Sequence, residues 1–177
     1  MPAPWSSHGT GRFEPSELGT LGERVVIEEG ALVFNPAHVH LHDDVYVGHR
    51  AILKGDTRNE LVVRPRSWIG QGCFLHSAGG ITIGEDVGVA PGVMILTSTH
   101  RETPAGTPII FGALELGAVE IGDGCDIGIG AIFLPGARVG SGVQVGAGTV
   151  VKGEFADDVV IAGMPAHVIR ARGTLAT

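Results

Sequence analysis

Broken every six residues, positions 121–151 read IGDGCD IGIGAI FLPGAR VGSGVQ VGAGTV V. The first place of each unit is apolar: Ile121, Ile127, Phe133, Val139, Val145 and Val151. The second place is glycine at Gly122, Gly128, Gly140 and Gly146, with Leu134 and Lys152 as the exceptions. The fifth place is small or β-branched: Cys125, Ala131, Ala137, Val143 and Thr149. A helix, with a period of about 3.6, does not generate two such positions at a fixed spacing of six. The pattern predicts one short strand per unit with an apolar and a small residue facing inward, followed by a turn that glycine eases. Three such strands close a triangular coil of about eighteen residues, and stacked coils pair as parallel sheets.

Working outward, the same code recurs in other phases. Ile83, Val89 and Ile95 form one run, with Val87, Val93 and Thr99 in the fifth place. Ile69, Leu75 and Ile81 form another, with Cys73 fifth; Leu21, Ile27, Val33, Val39 and Val45 form a third, with Val25, Ala31 and Ala37 fifth. The clearest slip is two extra residues between Ile81 and Ile83, after Gly79 and Gly80, while Asn59 to Arg66 follows no phase. Cys73 and Cys125 take the small inward slot and read as buried structural thiols. Between Ile95 and Ile121 the code lapses. The polar, turn-rich stretch from Thr97 to Gly106 cannot lie on a flat face, so a loop near residues 97–118 protrudes, and long loops in compact domains are usually functional or disordered. Glu154 to Asp158 ends the strict repeat, and Val168, Ile169 and the basic residues beside them predict a short helix or extended tail capping the last coil. The resulting organisation is an N-terminal extension over 1–20, a β-helix domain over 21–166 and a C-terminal cap over 167–177.

The composition agrees with many tight turns around an apolar interior. The chain has 177 residues, 29 of them glycine, and a hydrophobic share of 44%, which argues against disorder. Its net charge of −7, without a basic stripe, argues against nucleic acid as a partner. No apolar run is long enough to span a bilayer, and Met1 to Glu17 lacks the charged-then-apolar order of a secretory signal. The expectation is a cytoplasmic protein with no membrane partner. His38, His40 and His42 alternate and can share one side of a strand. Neighbours on one strand rarely supply tetrahedral geometry by themselves, so a solvent-facing trio is the preferred reading and no metal is expected.

Three pieces of sequence resemble the hexapeptide-repeat acyltransferases, within them the maltose and galactoside O-acetyltransferase group. They are Ile83 to Val93 leading to Ser98-Thr99-His100, Ile121 to Gly128 running on to Gly146–Val151, and Ala162-Gly-Met-Pro-Ala166 followed by Val168-Ile169-Arg170. The match covers roughly residues 65–172. The resemblance implies an all-β, left-handed parallel β-helix that works as a homotrimer, with acetyl-CoA lying between subunits as acyl donor and no metal required. His100 matches the family's catalytic base. An imidazole titrates near neutrality, so it can accept the proton of an attacking hydroxyl and pass it to the leaving thiol. An acceptor-orienting asparagine of the sugar-acetylating members falls at His76, which implies an acceptor-binding role there. The pantetheine arm is implied to follow Gly128, Ile129 and Ala147. The CoA phosphates are implied to meet Arg170, with His167 beside it and Lys152 and Arg172 as further candidates; a local basic patch suits so anionic a ligand. Asp126 stands where an aromatic residue is common in the family.

The resemblance points to an acetyl-CoA-dependent O-acetyltransferase acting on a sugar or saccharide, with N-acetylation of an amino sugar or nucleotide-linked amino sugar as the alternative. A γ-class carbonic anhydrase resembles the middle of the chain through Lys54-Gly-Asp56 and Ile69 to His76. Its two further zinc histidines, however, fall near Pro91 and Leu96, and a catalytic zinc takes three protein ligands. A third reading is a non-catalytic β-helix subunit.

Overall fold

The computed structural model describes residues 7–173; the outermost residues of the N-terminal extension and of the C-terminal cap lie outside the described residues. The chain is a parallel β-helix of about seven turns with three flat faces. The first face stacks Thr20–Leu21, Val39–Leu41, Leu61–Val63, Ile81–Ile83, Val119–Ile121, Arg138–Val139 and Glu154–Phe155. The second stacks Val26–Ile27, Tyr46–Val47, Trp68–Ile69, Gly88–Val89, Asp126–Ile127, Gln144–Val145 and Val159–Ala162. The third stacks Leu32–Phe34, Ile52–Lys54, Phe74–His76, Met94–Leu96, Ile132–Phe133 and Val150–Val151. All of these pairings are parallel, each coil hydrogen-bonding to the next.

The interior is a set of aliphatic columns. Ile127 lies over Val89 and under Val145, and Phe133 lies between Ile95 and Val151, all within 2% of full burial. Each such side chain contributes on the order of 1.5–3 kcal/mol through burial. Beside the large column runs the small slot, where Cys125, Ala131, Ala137, Val143 and Thr149 are buried. Coils stack so closely that a Cβ on Gly128 would come 2.6 Å from the Ala147 nitrogen. Glycine is therefore required there by the neighbouring backbone.

Two corrections concern phase. Val39 and Val45 occupy the slot, whereas Leu41, Val47 and Leu53 continue the columns, and Ala37 is exposed in a one-turn 3-10 segment over Pro36–His38. Thr99 is exposed; Thr97, fully buried, fills the slot. The eighteen-residue coil holds from Ile121 to Val139, but Leu41 to Val63 takes twenty-two residues and Val63 to Ile83 takes twenty. The difference arises at one corner. The step from first-face column to second-face column is six residues in every coil, as from Ile83 to Val89, and the step from second face to third is six as well. The third-to-first corner absorbs every insertion: Val33 to Leu41, Leu53 to Val63, Leu75 to Ile83, and the whole stretch from Ile95 to Ile121.

The repeat also continues past Glu154, since Phe155 stacks on Val139 and Ile161 on Val145. Both open ends are covered. Phe13 and Leu18 pack on the first coil, where the Val33 amide donates to the Gly11 carbonyl at 2.8 Å. At the far end His167–Ala171 is an extended strand, antiparallel to Val159–Ala162. The corner between first and second faces uses left-handed backbone at Arg24, Asp44, Arg66 and Asp86, which side chains adopt only at a cost. Ion pairs knit those same positions together: Arg24 with Asp44, and Arg66 with both Asp86 and Glu85 at 2.7 Å.

Candidate functional site

His76 and His100 both lie along the third-to-first corner. Thr97 fixes where the chain leaves the solenoid: its hydroxyl donates to the His76 carbonyl at 2.6 Å and accepts from the Gly79 amide at 2.8 Å. Beyond it, Ser98–His100 pairs antiparallel with Leu114–Leu116, so the predicted loop is partly a two-stranded ribbon. Arg101 and Glu115 bridge the ribbon at 2.8 Å, and Thr103 donates to the Thr107 carbonyl at 2.7 Å.

His100 is exposed on this ribbon, with Nδ1 3.1 Å from the Gly112 carbonyl oxygen. A carbonyl only accepts, so Nδ1 carries the hydrogen, and in the neutral ring Nε2 is the nitrogen with the lone pair. That is the tautomer and orientation a general base needs. Sequence reasoning missed Gly112 as the ring's partner. A Cβ there would fall 2.3 Å from the Arg101 carbonyl oxygen, so the close approach needs glycine.

One coil earlier, His76 lies half-buried on the outer side of the third face, flanked in register by Lys54 and Leu96. Burial lowers its pKa, and Lys54 lowers it further. Asp56 and Arg58 form a two-pronged pair at 2.7 and 2.8 Å, and the guanidinium holds the Asp56 carboxyl down at about 2. Among the described residues no hydrogen bond or ion pair joins the His76 and His100 rings. They share the corner without touching.

Gly128, Ile129 and Ala147 meet at the second-to-third corner. The Gly148 amide donates to the Ile129 carbonyl at 2.9 Å, and Ile129 is 58% exposed. The same corner continues through Ala162 and Gly163 to His167, whose ring would crowd a Cβ on Gly163 at 2.8 Å. Arg170, opposite Val160, lies farther along the last strand, and its guanidinium donates to the Ala171 carbonyl at 3.1 Å. Lys152 stands apart from this group. It lines a cavity of about 510 Å³ with Thr99, Glu115, Leu134 and Gly136, at the root of the ribbon.

The three alternating histidines separate. His38 and His40 both face Glu60, at 3.1 and 2.9 Å, and His40 also meets the Thr20 hydroxyl at 2.9 Å; His42 is not part of the group. Among the described residues no three His, Cys, Asp or Glu side chains are disposed to hold a metal ion. Cys73 and Cys125 are buried and unpaired, and burial raises both thiol pKa values.

The fold is a β-solenoid of hexapeptide repeats, consistent with the hexapeptide-repeat acyltransferases, and an exposed histidine stands on its inserted ribbon. No protein-family profile matches the chain, and no curated protein does. Among solved structures, it is similar to AntD, an N-acyltransferase from Bacillus cereus in complex with dTDP and 3-hydroxybutyryl-CoA. The TM-score is 0.79 at 21% identity, covering 89% of this chain and 85% of that one. It is also similar to a maltose O-acetyltransferase from Clostridium difficile 630, with a TM-score of 0.62 at 25% identity over 89% and 71% of the two chains. A galactoside acetyltransferase in complex with coenzyme A follows, with a TM-score of 0.57 at 22% identity over 87% and 65%.

Proposed function

We propose that this protein transfers an acetyl group from acetyl-CoA to a hydroxyl of a sugar or saccharide, with His100 as general base. The observation that carries the reading is the His100 ring, pinned through Nδ1 to Gly112 on an exposed ribbon. Nε2 accepts the acceptor's proton as its oxygen attacks the thioester carbonyl. The tetrahedral intermediate collapses, the C–S bond breaks, and the imidazolium returns the proton to the departing thiolate. Transfer is direct, with no acyl-enzyme. Gly128, Ile129 and Ala147 serve the pantetheine arm, and His167, Arg170 and Lys152 the phosphates. Transfer to an amine is the second reading, favoured by the closer backbone match to AntD, an N-acyltransferase.

We propose a homotrimer as the working assembly, and the outer side of the third face supports it. Leu32, Ile52, Phe74, Met94, Ile132 and Val150 form an unbroken apolar column along the solenoid. The first face presents Thr20, His40, Val62, Thr82, Glu120 and Arg138 at the equivalent places, polar at all but Val62. A continuous, partly exposed apolar stripe suits a contact surface, and one running the length of the axis suits parallel copies of the same chain.

The first test is calorimetric titration with acetyl-CoA. One CoA per chain, followed by thiol release when sugars or amino sugars are added, supports the proposal. A folded protein that binds no CoA refutes it and favours a non-catalytic β-helix subunit.

A further inference from the structure

The third face differs from the rest of the surface in its charge. The chain carries 19 acidic and 12 basic residues. Yet the second outward column of this face runs Phe34, Lys54, His76, Leu96, Leu134 and Lys152, and the first is wholly apolar. No carboxylate stands on either column. Six of the ten arginines are matched: Arg24 to Asp44, Arg58 to Asp56, Arg66 to Asp86, Arg101 to Glu115, Arg138 to Glu120 and Arg172 to Asp158. Lys54 is half-buried and has no ion-pair partner among the described residues. The nearest carboxylate, Asp56, is engaged by both prongs of Arg58. The groups acting on His76 from around it are Lys54, Arg58 and His8 as positive influences and Asp56 as the single negative one.

Position along the column gives this arrangement its meaning. Neighbouring strands lie about 4.8 Å apart, so the Lys54–His76 pair and Lys152 flank an apolar interval of Leu96 and Leu134. The ribbon carrying His100 leaves the solenoid at that interval. In the acyl-transfer reading Lys152 serves the anionic donor, and the Lys54–His76 end, on the other side of the interval where the ribbon leaves, is left for the second substrate.

We infer that the acceptor is itself an anion, a sugar bearing a phosphate or carboxylate, and that Lys54 and His76 receive that group while its hydroxyl or amine reaches His100. Lys54 supplies the fixed charge, and the His76 ring N–H donates a hydrogen bond to the anionic oxygen. A partly desolvated cation with no partner is completed by the ligand, and a neutral sugar leaves it uncompleted. This inference rests on the acyl-transfer reading for the identity of the second substrate, but the anion site can be tested apart from it.

The test compares glucosamine with glucosamine 6-phosphate, and galactose with galacturonate, by calorimetric titration at fixed ionic strength, with and without CoA. Inorganic pyrophosphate serves as a sugar-free probe. The anionic member of a pair should bind roughly tenfold or more tightly. Lys54→Met should erase that preference and Lys54→Arg restore it, while CoA affinity is unmoved in both. With a turned-over acceptor, Lys54→Met should raise KM and spare kcat. Equal binding of charged and neutral members, or no binding of any anion including pyrophosphate, overturns the inference. Absence of CoA binding alongside Lys54-dependent anion binding would instead overturn the acyl-transfer reading and leave the anion site standing.

Discussion

His100 and Gly112 face each other across the ribbon, at the outer end of its paired strands, with the ring Nδ1–H donating to the Gly112 carbonyl oxygen at 3.1 Å. Twelve residues separate them in the chain, and the antiparallel pairing of Ser98–His100 with Leu114–Leu116 brings them together. The ring is thus held by backbone, which fixes its tautomer without a carboxylate partner.

Removal of that ring acts on the transition state. His100→Ala should lower kcat by roughly 10²–10⁴ while leaving CoA affinity nearly intact. Steady-state thiol release and a parallel CoA titration separate the two effects. An unchanged kcat rules out His100 as the base.

The small slot contains one defect. The Thr149 hydroxyl is buried and has no hydrogen-bond partner among the described residues. Thr149→Val keeps the shape and removes the unsatisfied oxygen, so it should stabilise the protein by about 1 kcal/mol. For a chain of this size that raises Tm by about 2–4 °C. A lower Tm in a scanning calorimeter would show that the hydroxyl is satisfied in solution.

Acid should loosen the third-to-first corner through Asp56. Its folded pKa, about 2, lies below the roughly 3.9 of an unfolded aspartate. The contribution is therefore complete above about pH 4 and fades as pH falls toward 2. Urea midpoints measured across that range should fall more steeply for the wild type than for Asp56→Asn. Identical slopes would remove Asp56 from the acid response.

The apolar column on the third face predicts the assembly. Met94, 43% exposed, lies midway along it between Phe74 and Ile132. Met94→Glu should leave the circular dichroism spectrum unchanged and shift the sedimenting species from trimer to monomer. A variant that remains trimeric places the contact on another face.

The β-helix was readable in the sequence because two inward positions carry different size rules, and from Ile121 to Val151 nothing interrupts them. Upstream the phases blurred where the third-to-first corner adds residues. Strands such as Val39–Leu41 and Ile81–Ile83 then bury two large aliphatics, and slot and column look alike by residue type. This is why Val39 and Val45 were expected in the columns and Thr99 in the slot. The protruding segment and His100 were legible as a lapse in the code. The Gly112 contact was not, because nothing local marks a carbonyl as an acceptor. The Glu60 bracket around His38 and His40 was equally hidden, since the coil length that brings positions twenty or more apart together is unknown until the insertions are placed.

The uneven corner also separates two kinds of change. Two seams of the prism advance by a constant step, so a residue gained or lost there would shift every layer above it. The third seam has already accepted a short turn at Pro36, a longer one at Asp56 and a whole ribbon at Ser98, while the layers above and below stay aligned. A protein built this way can be refitted for another substrate by exchanging one external segment at a time. The interior that holds it upright is never consulted.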